Sequence, residues 1–269
     1  MRYSIIVPAW NEAAFIGTSL SRLRAAMEAV ADRDGGGGHV GALIVVDNNS
    51  TDATAEIARE AGATVVFEPI NRIARARNAG AKAATGEALV FVDADSWCDA
   101  KLLGAALDRL ASGRVVGGGS TIAPDRPVDG AARRGLDFWN RVGSTFKLAA
   151  GCFVYCRRDA FDAVGGFSDK VYAGEEIFLS RALKRWGRRR GMRFDIIDEA
   201  PVVTSVRKLD WYSPAQLARQ AALVFVPGAL YSKTLCRTWY DSGTRAATNE
   251  AAGDVAETAN GERRADEGL

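Results

Sequence analysis

The sequence predicts an α/β fold, a mostly parallel β-sheet flanked by helices. Three observations predict it: short apolar runs recur through the first half, stretches of helical periodicity separate them, and the runs stop at proline or at polar clusters. Near-continuous apolar strands alternating with helices imply parallel strands covered on both faces.

The first run, residues 3–7, ends at Pro8 and reads as a buried strand. Ile16, Leu20, Leu23, Met27 and Val30 then fall on one helical face, and the glycines of 35–38 mark a flexible connection. Residues 42–46 form the second strand. It runs into Asp47-Asn-Asn-Ser-Thr-Asp52, where Ser50 or Thr51 is placed to cap a helix reaching about Ala61. A third strand at 64–67, a helix over 72–84 and a fourth strand at 88–92 follow, the last ending on Asp93-Ala94-Asp95. Crossovers in such sheets are right-handed, so the C-terminal strand ends share one edge, and ligands of open α/β sheets bind there. The clusters at 8–12, 47–52 and 93–95 therefore converge on one crevice.

The second half is less regular. Gly117-Gly-Gly-Ser120 marks a strand or turn where backbones approach closely, and 136–145 is rich in aromatics. Residues 151–156 read as a core strand, and 175–187 as a helix whose basic C-terminal end suits the helix dipole.

At 269 residues the chain can build one large domain with a proper core. Net charge is +2, which gives no reason to expect nucleic acid as a partner. From Ser242 onward there are six acids and three arginines, which leaves the body about +5 and suited to an anionic ligand. Four cysteines show no metal-ligand spacing; Cys152 and Cys156 would lie roughly 13 Å apart on one strand, too far for a disulfide. One histidine, His39, excludes paired-histidine mechanisms.

The chemistry centres on Asp93 and Asp95. On an extended segment, residues two apart point the same way, so both carboxylates can face one site. Two such groups make a hard-oxygen site for Mg²⁺ or Mn²⁺, completed by phosphate oxygens and water. Asp47 can accept from a nucleobase N–H, and the neighbouring Asn49 can bond sugar or phosphate. Arg72, Arg75 and Arg77 with Asn78 form a cationic cluster near the same edge, where arginines can clamp a diphosphate. Glu175 and Glu176 open a helix after Gly174 and are the best candidates for a general base.

These residues resemble the family-2 inverting glycosyltransferases of the GT-A fold. Val7-Pro-Ala-Trp-Asn-Glu12 looks like that family's Val-Pro-x-x-Asn-Glu, and 47–52 resembles its Asp-Asp-x-Ser-x-Asp. Ala76-Arg-Asn-Ala-Gly80, Thr85-Gly-Glu87 with Phe91-Val-Asp-Ala-Asp95, Gly165-Gly-Phe167 and Gly174-Glu-Glu-Ile-Phe-Leu179 follow in the family's order, and the likeness covers roughly residues 3–210. The resemblance implies a GT-A sheet with a smaller acceptor-side α+β region and transfer of a sugar from a nucleoside-diphosphate sugar, of UDP or GDP type, to a sugar or lipid-linked acceptor. Pro8, Ala9, Glu12 and Asp47 would hold the nucleoside. Arg72 or Arg75 would lie near the base or diphosphate, with Asp93 and Ala94 near the ribose and metal and Asp95 on the metal. Glu176 takes the place of the family's catalytic Asp, so either Glu175 or Glu176 is the base. The Gln-x-x-Arg-Trp motif of processive synthases is missing; Thr204-Ser-Val-Arg-Lys208 stands in that region, where Arg207 or Lys208 would meet the diphosphate. Single addition is therefore expected rather than polymerisation.

Three rivals share parts of this pattern. A sugar-1-phosphate nucleotidyltransferase, like a dinucleotide-dependent oxidoreductase, needs a Gly-rich loop where Pro8-Ala-Trp-Asn-Glu12 stands. A non-catalytic nucleotide-sugar binder would keep the same binding motifs. The expected organisation is a nucleotide-sugar-binding half (1–115), an acceptor and base half (116–212), a C-terminal helix (213–241) and a disordered tail (242–269). The N-terminus shows no signal-peptide pattern, and the longest apolar stretch, 221–230, is too short to span a bilayer. A cytoplasmic protein is expected. Segment 213–240 is read first as a packed helix and second as a peripheral contact with the inner face of the membrane.

Overall fold

Strand-forming and helix-forming stretches alternate from the first residues. The computed structural model describes residues 1–33, 39–213, 216, 219, 222, 223, 226 and 228–236. Strands β1 (Arg2–Ala9), β2 (Val40–Asp47), β3 (Thr64–Phe67) and β4 (Ala88–Val92) alternate with α1 (Ala13–Arg33), α2 (Thr54–Glu60) and α3 (Ile73–Ala83). There follow β5 (Ser96–Trp97), α4 (Ala100–Ala111), β6 (Val115–Pro124), α5 (Gly130–Phe146), β7 (Phe153–Arg157), α6 (Arg158–Val164), α7 (Glu175–Arg188), β8 (Arg193–Thr204) and α8 (Lys208–Trp211).

The strands make one eight-stranded sheet in the order β3-β2-β1-β4-β7-β6-β8-β5. β1 to β4 pair in parallel, β7 runs antiparallel between β4 and β6, β6 pairs parallel with β8, and β5 closes the edge antiparallel to β8. The expected parallel sheet is thus interrupted at its middle. β7 pairs antiparallel with β4, and through it the second half extends the first half's sheet.

Alternation along each strand sorts the core into two layers. Ile5, Val7, Val45, Val90 and Val92 pack with Leu20 and Leu23 of α1 and Leu103 and Leu107 of α4. Ile6, Ile44, Val46, Leu89 and Phe91 pack on the other face with Phe161, Phe167, Leu179 and Leu183. Every residue of β4 is buried, as a strand covered on both faces requires.

The glycines of 117–119 lie inside β6, and Gly118 shows why. A Cβ there would run into the Asp195 carbonyl on β8 and the Tyr155 hydroxyl, which donates to that carbonyl at 3.2 Å. Gly118→Ala is expected to destabilise by about 1–3 kcal/mol, read as a lowered midpoint in thermal unfolding.

Two local readings are corrected. Ser50 and Thr51 do not cap α2. The Asp52 carboxylate accepts from the Thr54 N–H at 3.0 Å, while Ser50 and Thr51 brace Asn11 of the preceding loop. Asp93 to Asp95 is a tight turn rather than extended chain, with the Ser96 N–H donating to the Asp93 carbonyl at 3.0 Å. Arg77 holds one carboxylate and Arg207 the other, and both line one cleft.

The glycine run at 35–38, the tail from 242 and about half of the helix expected over 213–241 lie outside the described residues. Within them, Ala229–Tyr231 forms a 3₁₀ turn, and no helix is long and apolar enough to cross a membrane.

Candidate active site

The C-terminal ends of β1, β2 and β4 open onto one cleft of about 390 Å³. Pro8, Ala9 and Glu12 line it after β1, Asn48 after β2, and Asp93, Ala94 and Asp95 after β4. Glu175 and Glu176, at the start of α7, face it from the second half, with Arg207 beyond β8.

The loops after β1 and β2 hold each other. Asn11 and Asn49 adopt left-handed backbone (φ 51° and 68°), a conformation asparagine tolerates better than most residues. The Ser50 hydroxyl accepts from the Asn11 N–H at 3.0 Å, and the Thr51 N–H donates to the Asn11 carboxamide at 2.8 Å. Asp47 turns inward and accepts from the Ser50 N–H at 2.9 Å, so it shapes the loop, and neither it nor the exposed Asn49 lines the cleft.

Arg77 joins the two halves of the site. This residue of α3 is 1% exposed and donates to Asp93 Oδ1 at 2.8 Å, to the Gly151 carbonyl at 2.7 Å and to Glu175. Burial works against its charge, but Asp93, Glu175 and Glu176 outweigh that and hold its pKa above the ordinary arginine range. Glu175 is therefore buried and committed to an ion pair. Glu176 lines the cleft without such a partner, and its pKa is pushed up to about 8, first by burial and then by the neighbouring Glu175, with Arg77 pulling the other way.

Arg207 performs the matching task on the other side. Its guanidinium meets Glu12 at 2.6 Å and Asp95 at 3.0 Å, stacked against Phe15 and Trp211. Each aspartate of the turn thus has its own arginine. The oxygens the arginines leave, Asp93 Oδ2 and Asp95 Oδ1, the latter accepting from the Ser96 hydroxyl at 3.4 Å, are hard donors of the kind Mg²⁺ or Mn²⁺ accepts. Among the described residues no trio of Asp, Glu, His or Cys could hold a metal alone. The donor set fits a divalent ion that draws its remaining ligands from a diphosphate and water.

Other expected residues serve the frame. Arg72 donates to the Val171 carbonyl at 2.9 Å and stacks on Tyr172, Arg75 pairs with Glu68 at 3.0 Å, and the Asn78 carboxamide staples both backbone groups of Phe167. None of the three lines the cleft. Arg77 was the reverse case, a clustered arginine whose place between two carboxylates no spacing announces. Trp10, Trp139 and Tyr172 also line the cleft; the motif at 7–12 and the aromatic stretch at 136–145 contain the first two but assign them no role. Cys152 lines it too, but burial, with Asp93 and Asp95 adding to it, raises its thiol far above neutrality.

A nucleotide-binding parallel half continued into a mixed half, with carboxylates from both at one edge, is the architecture of the GT-A glycosyltransferases. The chain belongs to glycosyl transferase family 2, whose model matches residues 4–165. Among solved structures it is similar to the mannosyltransferase PcManGT from Pyrobaculum calidifontis in complex with GDP-Man and Mn²⁺. That likeness has 24% identity and a TM-score of 0.62, over 98% of this chain and 80% of that one. Glucosyl-3-phosphoglycerate synthase from Mycobacterium tuberculosis, in complex with Mn²⁺, UDP and glucosyl-3-phosphoglycerate, shares 22% identity at a TM-score of 0.57, over 87% of this chain and 80% of that one. The uncharacterized glycosyltransferase Rv0539 of M. tuberculosis is 49% identical over 57 residues, 21% of this chain and 26% of that protein. The match thus spans about a quarter of that relative's length.

Proposed function

We propose that this glycosyltransferase is an inverting enzyme that moves a sugar from a nucleoside-diphosphate sugar to an acceptor hydroxyl with the help of Mg²⁺ or Mn²⁺. The observation that carries the reading is the single cleft in which Arg77 ties the Asp93 turn to the Glu175–Glu176 helix start. Donor-side and acceptor-side carboxylates are held at one place by one buried cation. Neighbours with GDP-Man and with UDP, each with Mn²⁺, support donors of either nucleotide type.

The nucleoside lies against Pro8 to Glu12 and the loop after β2, and its diphosphate at the 93–95 turn. Arg207 moves from its carboxylates toward phosphate oxygens, a bidentate partner of the same kind. When bound, the divalent ion neutralises charge on the leaving diphosphate. Glu176 takes the proton of the acceptor hydroxyl, whose oxygen forms the new bond to the anomeric carbon. The bond from that carbon to the diphosphate oxygen breaks, and the nucleoside diphosphate leaves with the electron pair. Glu175 stays paired with Arg77 and sets the position and basicity of Glu176.

Titration calorimetry with GDP-mannose and UDP-glucose, each with and without Mn²⁺, tests this. Binding of at least one donor should tighten with Mn²⁺, and Asp95→Asn should remove the tightening. Binding indifferent to Mn²⁺ for every donor would exclude the metal role.

A pH profile tests the base. Only ionised Glu176 can accept the proton, so transfer should fall as pH drops through about 8. Glu175 holds that value up by like-charge repulsion, so Glu175→Gln should move the acid limb of kcat/KM to lower pH. An acid limb unmoved by that change would place the base elsewhere.

A further inference from the structure

Where Glu176 points depends on the loop that leads into α7. Tyr172, Ala173 and Gly174 of that loop themselves line the cleft. Gly174, left-handed at φ 70°, begins the helix and offers it no capping side chain. The first turn therefore takes its aim from whatever packs against residues 171–174.

Two elements remote in sequence pack there. Arg72, just ahead of α3, donates to the Val171 carbonyl at 2.9 Å, and its guanidinium stacks 4.3 Å from the centre of the Tyr172 ring. From beyond β8, the Leu230 carbonyl accepts the Tyr172 N–H at 2.7 Å. The buried Leu230 side chain closes a small core with Ala173, Cys236 and Phe178, and a Cβ on Gly174 would come within 3.1 Å of it. Tyr231 beside it sits edge-on to Phe178 of α7 at 5.9 Å. One loop thus joins the donor half, the turn at 229–231 and the helix that carries Glu176.

We propose that Arg72 and Leu230 are positioning residues for glycosyl transfer: by holding 171–174 between them they fix where the Glu176 carboxylate meets the acceptor. This role rests on the transferase reading and deepens it. It also reverses what the resemblance implies for Arg72, which does not line the cleft. An arginine on the diphosphate governs how tightly the donor binds, whereas an arginine behind the base loop governs turnover of a donor already bound. Displacing a reacting group by about 1 Å can cost about 10²-fold in rate.

The test pairs two readouts on the full chain. One is titration calorimetry of GDP and UDP with Mn²⁺; the other is kcat for nucleoside diphosphate release from GDP-mannose and UDP-glucose, with water as the acceptor. Arg72→Met and Leu230→Ala should each keep the nucleotide Kd within about twofold and lower kcat by about 10- to 100-fold. Leu230→Met, which refills the small core, should recover most of the loss, and Leu235→Ala, at an exposed position of the same segment, should behave as wild type. Hydrogen exchange gives a readout independent of turnover: amides of 171–177 should exchange faster in Arg72→Met and Leu230→Ala while those of β1 and β4 stay protected. A Kd that rises in step with the loss of kcat in Arg72→Met returns Arg72 to the diphosphate and overturns the proposal. Wild-type kcat in either variant overturns it as well, as does exchange that rises throughout the chain, the mark of general destabilisation. Those outcomes leave the transferase reading standing. That reading fails instead if the wild type binds neither nucleotide or releases none from either donor, and the positioning role falls with it.

Discussion

Glu176→Gln is expected to keep donor binding and to lower glycosyl transfer by about 10²–10⁴-fold, the usual worth of a positioned general base. Glutamine keeps the size and polarity of the side chain but cannot take the acceptor's proton. The cleft selects Glu176 over Glu175 because Arg77 commits Glu175 to a buried ion pair, whereas burial and Glu175 push the pKa of Glu176 up to about 8. A base with such a value is ionised in a useful fraction and still holds a proton well once it has taken it. The measurement is kcat and KM for nucleoside diphosphate release, beside calorimetric donor binding. Transfer retained within a few fold would move the base to another group.

The second large effect is expected at Arg77. Arg77→Met should destabilise the fold by about 3–5 kcal/mol, the cost of leaving buried charge without its partner, and should reduce transfer as well. Its removal strips Glu175 and Asp93 of their shared cation and frees the Gly151 carbonyl. Arg77→Lys should recover only part of either loss, since one ammonium cannot reach three acceptors in the planar fork of a guanidinium. Equilibrium denaturation gives the first quantity and kcat/KM the second. A double change, Arg77→Met with Glu175→Gln, should restore stability more than activity, because it removes the stranded charge without rebuilding the link to Asp93. Equal recovery of both would mean that Arg77 does no more than hold the fold.

The sequence made one half of this molecule legible and left the other obscure, for physical reasons. β1, β2 and β4 are buried over most of their length, so their apolar runs stand out; β3 is an exposed edge strand marked by its β-branched and aromatic residues, and the boundaries of β3 and β4 coincide with the runs at 64–67 and 88–92. The convergence of residues 8–12 and 93–95 on one edge follows from parallel topology alone. β7 breaks that pattern by pairing antiparallel with β4, an arrangement no local periodicity encodes. β8 mixes buried and exposed positions and lacked a clear signal. At the site, motif residues were visible as types but not as partners. Arg72, Arg75 and Asn78 have the same polar character as Arg77, yet only Arg77 points into the cleft, because three-dimensional facing decides which helix arginine meets the carboxylates. The pairing of Arg207 with Glu12 spans 195 positions and is fixed only by the docking of the segment after β8.

The most direct test follows the anomeric carbon itself. Incubated with an α-linked GDP- or UDP-sugar, Mn²⁺ and an acceptor or water, the wild-type chain should release nucleoside diphosphate. Early ¹H NMR spectra should show a β-anomeric product, and Glu176→Gln should give neither signal above background. An α-anomeric first product, or equal release by Glu176→Gln, would contradict single displacement with Glu176 as the base.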